Sequence, residues 1–128
     1  MNALFERLAE AFAGGVERPW SDAEFDGWAS EVFRRQFEQN DVYRRFCAAR
    51  GRGPDHIESW TDIPAVPTSA FKHLELSPPP HEAVFETSGT TRGQGRRGRH
   101  GVPSLALYRA ASVPGLATRM ALSPDRIR

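Results

Sequence analysis

A chain of 128 residues, 39% hydrophobic and 26% charged, has the size of one domain and the material for only a modest core. No apolar run reaches the roughly 20 residues of a membrane-crossing helix, and the charged N-terminus is unlike a secretory signal, so a cytoplasmic protein is expected. The single cysteine, Cys47, excludes an intrachain disulfide or a thiolate metal centre, and the net charge of +1 is unevenly spread: from Arg92 onward eight arginines accompany one acid, Asp125.

Residues 2–13 carry Leu4, Phe5, Leu8, Ala9 and Phe12 at helical spacing, and Gly14-Gly15 supplies a stop. Pro19-Trp20-Ser21-Asp22 opens a second helix, which Ser21 caps; Glu24, three residues on, completes a capping box. Its apolar face of Phe25, Trp28, Val32, Phe33 and Phe37, extended by Tyr43 and Phe46, reads as core, because such stripes pack far more often than they bind cofactors. The helix is expected to break near Asn40-Asp41 and resume until Gly51, with Cys47 a small packing residue inside it.

Residues 51–54 form a turn, after which the character changes. Pro64 and Pro67 forbid a regular helix over 57–72 and hold the backbone before each proline extended. Ser69 is placed to cap a short helical turn reaching Leu74, and Ser77-Pro78-Pro79-Pro80 is a stiff connector. Residues 82–87 read as a short strand through Ala83, Val84 and Phe85. Residues 103–111 are helical in pattern, Pro114-Gly115 interrupts, and 116–122 form a second short helix. His56, His73 and His81 have no metal-ligand spacing and default to solvated or packed side chains.

The strand delivers the chain into Thr87-Ser88-Gly89-Thr90-Thr91-Arg92-Gly93-Gln94-Gly95-Arg96-Arg97-Gly98-Arg99-His100. Glycines let backbone N–H groups converge on an anion, short hydroxyls add donors, and guanidiniums fork onto phosphate oxygens. A P-loop fails, because Arg99-His100 stand where lysine and a magnesium-binding hydroxyl are needed. Gly93, Gly95 and Gly98 meet the dinucleotide-binding spacing, but Arg99-His100-Gly101-Val102-Pro103 follows instead of a helix. A small non-enzymatic module that binds nucleic acid or an acidic partner through its Arg/Gly segment stays open; its basic residues would matter about equally and salt would weaken it steeply.

Thr87-Ser88-Gly89-Thr90-Thr91 followed by Gly93 resembles the phosphate-binding loop of the adenylate-forming superfamily of acyl-CoA ligases, peptide-synthetase adenylation domains and luciferases. The run from Trp60 to Lys72 before it, and Arg99-His100 with Leu107-Tyr108 after it, resemble the acyl-protein synthetase (LuxE-type) family, over roughly residues 20–108. The resemblance implies an α/β fold: a helical N-terminal segment, 1–50, leading into the start of a nucleotide-binding large domain, 51–128, truncated here. It implies that ATP activates a fatty or other carboxylic acid as an acyl-adenylate, and that the acyl group passes to a thiol on a protein or coenzyme A. Thr87, Ser88, Gly89, Thr90, Thr91 and Gly93 would hold the phosphates, supplemented by Arg99 and His100, and Mg2+ would bridge phosphate oxygens.

The family pattern has glycine directly after the second threonine, where this chain has Arg92, so Gly93 takes that role by a one-residue shift. The family's catalytic lysine and acyl-accepting cysteine lie further on; Lys72 and Cys47 do not correspond to them. An incomplete, inactive fragment is therefore expected, associating with a complementing chain that carries the rest.

Overall fold

The computed structural model describes residues 2–88 and 97–120, and within them three helices lead through an irregular strap to a β-hairpin and a fourth helix. Helix α1, Ala3–Ala13, starts at Asn2, whose side chain accepts from the Leu4 N–H at 3.0 Å. It stops where Gly15 turns to φ 69°, a left-handed conformation that suits glycine. Helix α2, Asp22–Gln39, opens on the expected capping box: Ser21 Oγ accepts from the Glu24 N–H at 3.2 Å and Glu24 Oε2 from the Ser21 N–H at 3.0 Å. That backbone N–H chiefly, with Arg18 beside it, holds the Glu24 carboxyl below its usual range.

The break falls where the sequence places it. Asn40 ends α2 and caps α3, Asp41–Ala48, by accepting from the Tyr43 N–H at 3.0 Å. Its side chain is buried, and its amide donates to the Leu76 carbonyl at 2.6 Å. Cys47 is fully buried in α3.

The strap over residues 54–76 contains 3-10 turns at Pro54–His56, Trp60–Asp62 and Thr68–Lys72. Three helix side chains stitch it down. Asp26 accepts from the Trp60 N–H at 2.7 Å and the Ser59 hydroxyl at 3.1 Å, Tyr43 donates to the Pro64 carbonyl at 2.9 Å, and Asn40 holds Leu76. Asp62 accepts from the Ser59 and Glu58 N–H groups, which draw its carboxyl below the usual range. Ser69 does not act as a cap: the last turn begins directly after Pro67 with no side-chain cap, leaving Ser69 inside it.

Strands β1, Ala83–Glu86, and β2, Arg99–Val102, pair antiparallel with Phe85 opposite His100 and Glu86 opposite Arg99. Helix α4, Leu105–Met120, follows at once, with Ser104 Oγ accepting from the Leu107 N–H at 3.2 Å and Glu82 Oε2 from the Leu105 N–H at 2.7 Å. The expected interruption at Pro114-Gly115 does not occur; Pro114 lies within the continuous helix, and of the expected second helix, 121 and 122 lie outside the described residues. Packing supplies the reason. Helix α4 lies against α1, and a Cβ on Gly15 would sit 3.7 Å from Pro114 Cβ, one on Gly115 3.5 Å from Val16 Cγ1. Tertiary contact of this kind offsets the backbone hydrogen bond that proline forgoes.

The buried apolar side chains are Leu4, Leu8, Phe33, Cys47 and Ala117 among the described residues. The aromatic stripe of α2 is only partly core: Phe33 is buried, whereas Phe25 is 43% exposed. Its rings form a chain instead, with Trp20 touching Phe12, Phe25 and Trp28, Phe25 meeting Trp60 edge-on, and Tyr43 lying between Phe33 and Phe46.

Candidate phosphate-binding hairpin

The hairpin's inner end is closed by a reciprocal pair. The Thr87 N–H donates to the Gly98 carbonyl at 3.0 Å, and the Gly98 N–H donates to Thr87 Oγ1 at 2.9 Å. Gly98 is buried there, and a Cβ on it would lie 3.4 Å from Thr87 Cγ2 and 3.7 Å from Phe71 Cβ. Thr87 thus fixes the span across the strand ends, and as a hydroxyl that accepts it still has its own hydrogen to give.

Arg99 and His100, neighbours in sequence, belong to opposite faces of the hairpin because side chains alternate along a strand. Arg99 Nε lies 3.4 Å from Glu86 Oε1, and Arg97 Nη1 is 3.9 Å from Glu86 Oε2. His100 stacks on Phe71, ring centroids 4.3 Å apart, while Phe85 stacks on Tyr108 at 5.3 Å. His81 is packed over Gly101, where a Cβ would come within 2.6 Å of its ring, and His81 Nε2 is 2.8 Å from the Ser77 carbonyl oxygen. The stretch 99–102, part of a basic loop by composition, is a strand in the structure.

Of the residues expected to hold phosphate, Thr87, Ser88, Arg99 and His100 are placed; Gly89, Thr90, Thr91 and Gly93 lie outside the described residues. Two of the placed side chains part company: Arg99 faces Glu86 and His100 faces Phe71. Glu86, within the expected strand, is the charged neighbour of Arg99 that pattern reading misses. Hairpin logic could have found it, since the residue before a closed turn faces the residue after it. Among the described residues no three His, Cys, Asp or Glu side chains cluster to hold a metal ion.

Two clefts flank the hairpin's support, and Phe71 lines both. One, of about 400 Å³, is also lined by Lys72, Glu75, Glu86, Arg97 and Arg99. The other, of about 460 Å³, is apolar and lies between α2–α3 and the strap, lined by Val32, Phe33, Tyr43, Ile63 and Leu76. Burial pushes the Tyr43 hydroxyl and the Cys47 thiol upward, so neither is a ready nucleophile.

No family model matches the chain, and no solved structure matches it. Among curated proteins, the long-chain-fatty-acid–luciferin-component ligase of Vibrio harveyi is 34% identical over 84 residues, covering 60% of this chain and 22% of the ligase. The chain spans about a fifth of the length of the curated relative it matches. The likeness supports a relationship with ligases of the acyl-protein synthetase kind. No helix among the described residues is long and apolar enough to cross a membrane.

Proposed function

We propose that the chain is the opening part of an ATP-dependent acyl-activating ligase of the acyl-protein synthetase kind, and that the segment from Thr87 to His100 receives the nucleotide's phosphates. The similarity to a fatty-acid ligase over 84 residues carries the reading, and the Thr87-Ser88-Gly89-Thr90-Thr91 motif at the end of a strand supports it. In this reading the large α/β domain of an adenylate-forming enzyme begins here, and a complementing or continuing segment supplies the rest. The protein would work in the cytoplasm.

The reaction has two steps. A carboxylate oxygen of a fatty acid attacks the α-phosphorus of ATP, the bond to pyrophosphate breaks, and an acyl-adenylate forms. A thiol of a protein or coenzyme A then takes the acyl group and AMP leaves. Magnesium accompanying the nucleotide would neutralise part of the phosphate charge. The chain's share is positional and electrostatic: Thr87 holds the strand ends together, the hydroxyls of Ser88, Thr90 and Thr91 and the N–H groups of Gly89 and Gly93 donate, and Arg99 adds charge. His100, stacked on Phe71, would brace the strand that carries Arg99.

The test is fatty-acid-dependent ATP–pyrophosphate exchange, measured on this chain co-expressed with the segment encoded directly downstream. Exchange is expected, and Thr90→Ala/Thr91→Ala should lower it by about 100-fold. Absence of exchange, with equal loss of RNA binding on removing any arginine after Gly89 and a steep salt dependence, would favour the Arg/Gly binding module instead.

A further inference from the structure

Glu86 and Arg99 face each other across the β1–β2 register, and the two oxygens of Glu86 divide between two guanidiniums, Arg99 at 3.4 Å and Arg97 at 3.9 Å. The longer separation lies beyond hydrogen-bond range. The side chains are 46% exposed for Glu86, 58% for Arg99 and 63% for Arg97, so water screens both pairs. Lys72, the chain's only lysine, lines the same cleft and has no carboxylate partner among the described residues. Lys72, Arg97 and Arg99 outnumber Glu75 and Glu86 on one concave surface beside the hairpin.

We infer that this cleft is an anion site for a phosphate chain, with Lys72, Arg97 and Arg99 as its cations and Glu86 as the counter-ion that the ligand displaces. A carboxylate and a phosphate oxygen accept from guanidinium forks in the same way, so Glu86 occupies ground that a phosphate would take. It brings one negative charge; a phosphate chain brings several and adds Lys72, with which Glu86 makes no ion pair. Glu86 therefore keeps the two arginines gathered in the free protein. It also competes more effectively with singly charged anions than with a phosphate chain, a selectivity made by competition rather than by fit. Identifying the ligand as the phosphates of a nucleotide rests on the acyl-ligase reading; the anion site itself does not.

Tripolyphosphate titrated into the intact chain at low salt, followed by calorimetry, tests the inference. Glu86→Gln should tighten binding about threefold to tenfold, the worth of the exposed pairs it removes. Glu38→Gln, the same charge change on α2 away from the cleft, should alter affinity less than about twofold. Lys72→Ala and the Arg97→Ala/Arg99→Ala pair should each weaken it by about tenfold or more. Glu86→Gln acting no more than Glu38→Gln, or Lys72→Ala leaving affinity unchanged, overturns the site. If the double arginine variant fails to fold, judged by circular dichroism, Lys72→Ala and Glu86→Gln still decide. Loss of fatty-acid-dependent exchange with the Glu86→Gln effect intact removes the ligase reading and leaves the anion site; exchange without that effect does the reverse.

Discussion

Phe71 and His100 lie nearly face to face, 4.3 Å between centroids and 29° between planes, and through this stack the strap meets the hairpin. Asp26, Asn40 and Tyr43 anchor the strap to α2 and α3, so this stack ties the hairpin to those helices, as Phe85 on Tyr108 and Glu82 with Leu105 tie it to α4. Replacing Phe71 with alanine is expected to cost about 1–3 kcal/mol, and Phe71→Tyr much less. Hydrogen exchange at the amides of β1 and β2 should quicken in the alanine variant before the helices respond. Uniform exchange across the chain would mean that the stack does not hold the hairpin.

Asn40 serves two elements with one buried side chain, capping α3 and donating to Leu76. Asn40→Ala should lower stability by about 1–3 kcal/mol in urea unfolding. Asn40→Ser can restore the cap but not the reach to Leu76, and should recover only part of the loss. Full recovery by serine would assign no energy to the Leu76 bond.

Acid should weaken the fold through two caps. Glu24 is held below the ordinary carboxylate value chiefly by the Ser21 N–H, and Asp62 by the N–H groups of Ser59 and Glu58. A carboxyl with a lowered folded value contributes stability that is fully present above its unfolded value and fades as pH falls through the folded one. Glu24→Gln/Asp62→Asn should therefore flatten the acid limb of a melting-temperature profile, while changing neutral-pH curvature little. An unchanged limb would locate acid sensitivity elsewhere.

Cys47 is buried, and burial raises its thiol above the ordinary value. Iodoacetamide should label it about 100-fold more slowly in the native chain than in denaturant. Native labelling at the denatured rate would contradict the packing of α3.

The local signals were legible in sequence because their causes are local. The Ser21 and Glu24 capping box, the Gly14-Gly15 stop, the Asn40 junction and the strand before Thr87 all depend on residues within a few positions of each other. What escaped depends on distant partners. Pro114 reads as an interruption until α1 is placed beside it, and Arg99-His100-Gly101-Val102 has no strand pattern until β1 supplies its edge. Ser69 suited a cap by type, but the turn starts after Pro67, which takes the cap position with its fixed φ. At the candidate site, the residue types were visible and their facing was not: Arg99 and His100 look like a pair, and strand alternation separates them.

The reciprocal hydrogen bonds between Thr87 and Gly98 also act as a clasp at the base of the sequence between them. The entropy of closing such a clasp rises slowly with length, about 0.6 kcal/mol for each doubling. A lineage, or an engineer grafting residues between the two, would therefore meet only a small closure cost.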